Sequence, residues 1–181
     1  MARTGSELTD LITSRLRDIP DFPKPGVVFK DITPLLADGV AFGAVVRDIA
    51  DRRRGTIDLV VGIEARGFIF GAAVAHELGI GFVPVRKAGK LPGRTHSVSY
   101  DLEYGNASIE IHEDSFVGGE RVLLVDDVLA TGGTAAAAWD LLEAAGARVV
   151  GFEALVELDF LHGRERLVGR DVHTSVVVSG D

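Results

Sequence analysis

Hydrophobic positions along the chain fall into two alternating kinds of segment. Short, mainly apolar runs occupy residues 57–63, 83–85, 122–125 and 148–155, and the run 122–125 is bounded by Arg121 and Asp126. Runs of this length suit strands covered on both faces. Other segments repeat their apolar residues every three or four positions. Leu8, Leu11, Ile12 and Leu16 predict a helix over 6–17 with Ser6 as its cap, and Phe42, Val45, Val46 and Ile49 predict another. Helices are also predicted over 68–78 and over the alanine-rich run 135–145, and Thr33-Pro34 reads as a cap with proline in the first turn. Strands alternating with helices predict βαβ units with right-handed crossovers. The expected fold class is therefore α/β, a single domain over 1–181 with a mainly parallel central sheet flanked by helices.

Three stretches break the alternation. Pro20, Pro23 and Pro25 force an extended or turning path after the first helix. Residues 86–98, RKAGKLPGRTHSV, hold five basic residues and little that is apolar, which reads as a loop and not as core. Residues 99–111 follow as two rough strands around Tyr104-Gly105-Asn106, a hairpin signal. A basic loop running into a hairpin is a candidate lid over an anion, with Lys90 and Tyr104 as lid residues, or else an exposed edge hairpin. Val172–Val178 is a candidate last strand, and segment 162–181 carries no assigned chemistry. Arg52-Arg53-Arg54 reads as a solvated helix end whose charge complements the dipole.

The densest chemistry lies where the run Val122, Leu123, Leu124, Val125 meets Asp126, Asp127 and then Thr131-Gly132-Gly133-Thr134. The order is strand, loop, helix, which puts both carboxylates at the carboxyl end of a strand, where open α/β sheets bind ligands. Backbone N–H groups of Ala130 to Thr134, the two hydroxyls and the following helix start suit a phosphate. Two adjacent carboxylates would repel that phosphate but can accept from neighbouring hydroxyls of a ribose. One loop can thus grip a ribose 5-phosphate by both ends. Neither GxxxxGK[ST] nor GxGxxG occurs.

VLLVDDVLATGGT resembles the phosphoribosyl-pyrophosphate motif of the type I phosphoribosyltransferases. DFPKPGVVFKDITPLL, GIEARGFIFG, VPVRKAGKLPG and YDLEYG resemble stretches of the adenine-specific members of that family. The resemblance covers about residues 21–156. It implies the type I phosphoribosyltransferase fold, with 1–35 as an N-terminal helix and base-binding segment and 86–111 as the lid loop and hairpin. The implied reaction transfers phosphoribosyl from 5-phosphoribosyl 1-pyrophosphate to adenine, giving AMP and pyrophosphate in purine salvage. Asp126 and Asp127 would hold the ribose and Ala130, Thr131, Gly132, Gly133 and Thr134 the 5′-phosphate. The resemblance also makes Glu64-Ala65-Arg66 the pyrophosphate loop, where a strained or cis peptide is expected. Ala65 and Arg66, with Lys87, would meet pyrophosphate. Backbone groups of Val28 and Lys30, with Phe29 nearby, would read the adenine edge. Glu103 alone would be an ordinary exposed carboxylate; the match to YDLEYG makes it the group that handles the purine proton.

Composition narrows the rest. At 181 residues with 46% hydrophobic and 25% charged residues, the chain is ordinary for a globular domain. A net charge of −8 argues against general nucleic-acid binding. No cysteine occurs, which fits a reducing compartment. The start, MARTGSELTD, has no apolar signal core, and no apolar run approaches about 18 residues, so a cytoplasmic location without membrane association is expected. The five histidines are scattered, His76 as helix surface, and no metal-ligand residues are assigned. Magnesium is expected to arrive with the pyrophosphate substrate, and the resemblance implies a homodimer.

Overall fold

Residues 5–101 and 106–180 are described by the structure, a computed structural model. Helix α1 (Gly5–Thr13) leads into a two-stranded hairpin of β1 (Arg17–Pro20) and β2 (Val28–Asp31). Helices α2 (Thr33–Ala37) and α3 (Gly39–Arg53) follow, then β3 (Leu59–Ile63), α4 (Arg66–Leu78) and β4 (Gly81–Lys87). Next come β5 (Thr95–Asp101), β6 (Asn106–His112), β7 (Arg121–Leu129), α5 (Gly133–Ala144) and β8 (Arg148–Leu158). Two 3-10 turns, Asp159–Leu161 and Gly163–Leu167, precede β9 (Val172–Val178), the expected last strand.

The main sheet runs β5-β6-β4-β3-β7-β8-β9. Strands β4, β3, β7, β8 and β9 are parallel, and β6 and β5 extend the sheet antiparallel beyond β4. Side chains of successive residues point to opposite faces, and each face has its own core. Val60, Leu123 and Val125 pack with α3 and α4, while Val61, Val122 and Leu124 pack with α5. That is why β7 needs four apolar residues in a row: all four are 0% exposed, each contributing about 1.5–3 kcal/mol of burial.

Chain direction across the sheet reverses between β3 and β7. From β3 the chain crosses to β4 on one side, and β7 lies on the other. Helix α4 leaves β3 over one face and α5 leaves β7 over the opposite face, which opens a crevice between their first turns at the carboxyl ends of the strands.

Several sequence expectations need correction. The first helix stops at Thr13, with Arg17 already in β1, and Ser6 lies within the helix, after Gly5. Thr33 is the first residue of α2, whose N-terminus is served by the Asp31 carboxylate accepting from the Thr33 N–H. Asp38 interrupts the helical run because it caps α3, accepting from the N–H groups of Val40 and Ala41. Residues 86–98 are not all loop: Arg86 and Lys87 end β4, and β5 begins at Thr95.

The arginine run departs further from its expected role. Arg54 is exposed, yet Arg53 is 8% exposed, and its Nε donates to the fully buried Glu153 carboxylate at 2.7 Å. Its Nη1 reaches Asp171 at 2.6 Å, so Arg53 ties α3 to β8 and the start of β9 instead of facing water. His76, by contrast, is exposed on α4 as expected.

Candidate active site

Strand β7 outruns its neighbour. Pairing with β3 ends at Gly62 opposite Val125, whereas pairing with β8 continues to Leu129. Asp126 and Asp127 therefore stand beside the open end of β3, within β7 and not beyond it. They face different neighbours because strand side chains alternate.

Asp127 is 9% exposed, and its Oδ2 accepts from Arg66 Nη1 at 2.8 Å. Asp126 Oδ1 accepts from the Asp127 N–H at 2.9 Å. Burial pushes the Asp126 carboxyl well above its ordinary range, and the adjacent Asp127 charge adds to the shift. Gly67 makes this closeness possible. A Cβ there would stand 2.6 Å from the Val125 carbonyl oxygen and 3.0 Å from Asp126 Oδ1, so only glycine lets α4 start against β7.

The loop after β3 is shorter than the sequence suggested: Glu64 and Ala65 form the turn, and Arg66 is the first residue of α4. The Glu64–Ala65 peptide is cis, as the family resemblance led us to expect. Glu64 gathers the basic segment that faces it. Its Oε2 accepts from the Lys87 N–H at 3.0 Å and from Arg86 Nε at 3.4 Å. The Lys87 N–H, then Arg86 and the more distant Lys90 charge, hold the Glu64 carboxyl below its usual value. Lys87 and Lys90 side chains are exposed.

Arg66 also reaches the base-binding candidates. Its guanidinium carbon lies 5.0 Å from the centroid of the Phe29 ring, which packs edge-on against Phe22 at 5.3 Å. Val28 is 49% exposed at the start of β2, and Lys30 Nζ is engaged by Asp18 at 2.7 Å.

A cleft lined by Asp126 and by every residue from Val128 to Ala135 contains the loop that was predicted to hold phosphate. Gly132 is the residue before α5, with φ +77°, and Gly133 opens the helix; no side chain caps it, which leaves its first N–H groups available to a ligand in the cleft these residues line. The hydroxyls of Tyr100 on β5 and Thr134 on α5 are 3.0 Å apart, which fastens the hairpin to the same helix start.

Sequence reasoning missed four of these contributors. Glu64 had no role of its own beyond membership of the pyrophosphate loop, and Tyr100 none beyond opening YDLEYG. Glu110, 5% exposed on β6, accepts from the N–H groups of Lys90 and Leu91 at 2.8 Å each and so shapes the basic loop. Its signal is a lone acid between Ile109 and Ile111. Gly163, described below, gave no signal at all. Glu103 and Tyr104, assigned to proton handling and lid closure, lie outside the described residues. Among the described residues no group of three or more His, Cys, Asp or Glu is arranged to hold a metal ion, and no helix is long and apolar enough to cross a membrane.

Comparison with known proteins agrees with this arrangement. The phosphoribosyl transferase domain family matches residues 36–178. An adenine phosphoribosyltransferase of Salinispora tropica is 58% identical over 176 residues, covering 97% of this chain and 94% of the relative. The crystal structure of adenine phosphoribosyltransferase from Thermoanaerobacter pseudethanolicus superposes with TM-score 0.90 at 49% identity, over 97% of this chain and 100% of that one. The Saccharomyces cerevisiae adenine phosphoribosyltransferase, complexed with an imino-altritol bisphosphate and adenine, gives TM-score 0.89 at 38% identity, over 94% and 99% of the two chains. With its motifs, its sheet order and the crevice at the β3–β7 reversal all in agreement, the chain belongs to the adenine phosphoribosyltransferase family.

Proposed function

We propose that this chain transfers the phosphoribosyl group of 5-phosphoribosyl 1-pyrophosphate to adenine, releasing AMP and pyrophosphate. The observation that carries the reading is Arg66, whose guanidinium bonds Asp127 and also covers Phe29. One side chain thus joins the segments assigned to pyrophosphate, ribose and base. The yeast relative, crystallised with adenine and a sugar-like bisphosphate, supports the same combination of ligands.

In this reading the 2′ and 3′ hydroxyls of the ribose donate to Asp126 and Asp127, and the 5′-phosphate sits on the N–H groups of Ala130 to Thr134. The sugar is then held while the C1–pyrophosphate bond lengthens and positive charge builds on the ring. Arg66 and Lys87, with the cis turn at Ala65, receive the departing pyrophosphate, which comes as a magnesium complex that supplies further charge neutralisation. Adenine N9 attacks C1, and the imidazole proton leaves toward Glu103. The hairpin, with Lys90 and Tyr104, excludes water that would otherwise capture the cation.

For base recognition, Pro20 stands opposite Val28 in the β1–β2 register. Proline has no N–H to give the ladder, which favours a non-bonded pair there. By alternation the backbone groups of Val28 and Lys30 then turn away from β1, where an amide can meet the 6-amino edge of adenine. The engagement of the Lys30 ammonium by Asp18 supports a backbone contact over a side-chain one. Such a site would reject 6-oxo purines, which leave its buried donors and acceptors unpaired. The same reading includes a homodimer in the cytoplasm, with sedimentation as the test of its size.

Purified protein supplied with magnesium and phosphoribosyl pyrophosphate should form nucleotide and pyrophosphate with adenine and far less with hypoxanthine or guanine. Equal efficiency on all three bases would overturn the adenine assignment.

A further inference from the structure

The backbone behind the phosphate loop is interlocked with the C-terminal segment. A Cβ built on Gly163 would stand 2.2 Å from the Ala130 carbonyl oxygen and 3.1 Å from the Gly132 nitrogen. Conversely, a Cβ on Gly132 would stand 2.3 Å from the Gly163 carbonyl oxygen. These distances lie far inside van der Waals contact, and the atoms met are backbone, which cannot swing away as a side chain can. Two chain segments about thirty residues apart in sequence therefore meet backbone to backbone, and only glycine fits at either side.

The Gly163 side of this contact is staked to the body of the protein. Arg164 Nε donates to both oxygens of Glu157, which is 3% exposed, at 2.7 and 2.9 Å. Its Nη1 reaches the Val172 carbonyl at 3.1 Å and its Nη2 the Thr174 hydroxyl at 3.0 Å. Leu167, at the other end of the same 3-10 turn, is 2% exposed in the α5 core. The turn is thus fixed to β8, β9 and α5, while the loop in front of it has open cleft on its other side.

We propose that Gly163 is a positioning residue for the 5′-phosphate loop: the C-terminal turn backs Ala130 to Gly132 and sets where their N–H groups point. This rests on the reading of that loop as the phosphate cradle. Segment 162–181 then has a part in substrate binding although none of its described residues lines the cleft. Any side chain at Gly163 must push the loop forward, toward the space the phosphate would occupy.

The test is steady-state kinetics of wild type and Gly163→Ala, varying each substrate separately. Displacing a positioned group by about an ångström can cost about a hundredfold, so KM for phosphoribosyl pyrophosphate should rise at least about tenfold. KM for adenine should stay near its wild-type value. A purely structural role would lower the active fraction and therefore kcat, leaving both KM values in place, and that pattern overturns the proposal. Arg164→Met removes the stake without adding bulk and should raise KM for phosphoribosyl pyrophosphate in the same direction by a smaller factor. If Gly163→Ala does not fold, an unchanged KM in Arg164→Met overturns the proposal. Inactive wild-type protein would instead refute the assigned reaction, a distinct result.

Discussion

Tyr100 on β5 and Thr134 at the start of α5 bring their hydroxyls within 3.0 Å, linking the hairpin edge of the sheet to the proposed phosphate loop. Thr134 can accept from Tyr100 and still donate its own proton to a bound phosphate, so the tyrosine orients the threonine. Tyr100→Phe should therefore weaken AMP binding by about 0.5–1.5 kcal/mol, the net value of one hydrogen bond. In a Thr134→Val background the same change should cost almost nothing, because the partner is already gone. Calorimetric titration of AMP into the four proteins measures this coupling; additive losses would show that the two hydroxyls act independently.

Arg66 serves two neighbours of different chemistry, the Asp127 carboxylate and the Phe29 ring. Lysine keeps the charge but not the planar fork that can bond one and cover the other. Arg66→Lys should raise KM for phosphoribosyl pyrophosphate about tenfold, a loss of about 1.4 kcal/mol. Wild-type kinetics in that variant would mean that only the positive charge matters.

Burial holds the Asp126 carboxyl above its ordinary value of 3.8. The folded state therefore keeps a proton that the unfolded chain releases near that value, and stability falls as pH rises from about 4 to the folded pKa, then levels off. Asp126→Asn removes this loss. Its melting temperature should exceed that of wild type at pH 8, with the gap narrowing toward pH 4, while nucleotide formation drops. A variant that melts below wild type at pH 8 would show that the ionised carboxylate stabilises the apo fold.

Much of the architecture was legible because both faces of the sheet are covered. The unbroken Val122–Val125 run suited a strand buried on both faces, and helical spacing at Phe42, Val45, Val46 and Ile49 marked a packed face. The aspartate pair and TGGT were legible because their chemistry is local, a strand end running into a helix start. What stayed hidden depends on distant partners. Nothing near Arg53 in sequence announces Glu153, a hundred residues away, so a buried cation looked like a solvated one. Gly163 resembles any turn glycine until Ala130 is seen against it. Residues 95–98 looked too polar for a strand because β5 is an edge strand of the sheet, where His96 and Ser97 face water.

The Arg53–Glu153 pair carries its own prediction. Arg53→Met leaves a carboxylate buried at 0% exposure with its 2.7 Å partner gone, and with Arg52 at 3.3 Å and the His173 imidazole at 3.1 Å left beside it. Breaking a buried pair from one side typically costs about 3–5 kcal/mol, whereas replacing both members with apolar residues can be nearly neutral. Urea unfolding should show a large loss for Arg53→Met and a smaller one for Arg53→Met combined with Glu153→Leu. A loss under about 1 kcal/mol in the single variant would place the pair among ordinary surface bridges.

Titration of magnesium phosphoribosyl pyrophosphate into wild type and Asp127→Ala by calorimetry tests the ribose assignment most directly. Wild type should bind with clear saturation, and the alanine variant should lose at least about a hundredfold in affinity, as expected when a charged hydrogen-bond acceptor is removed from a buried site. Equal affinity in the two proteins would contradict the account, because the sugar would then be held somewhere other than at the β7 carboxylates.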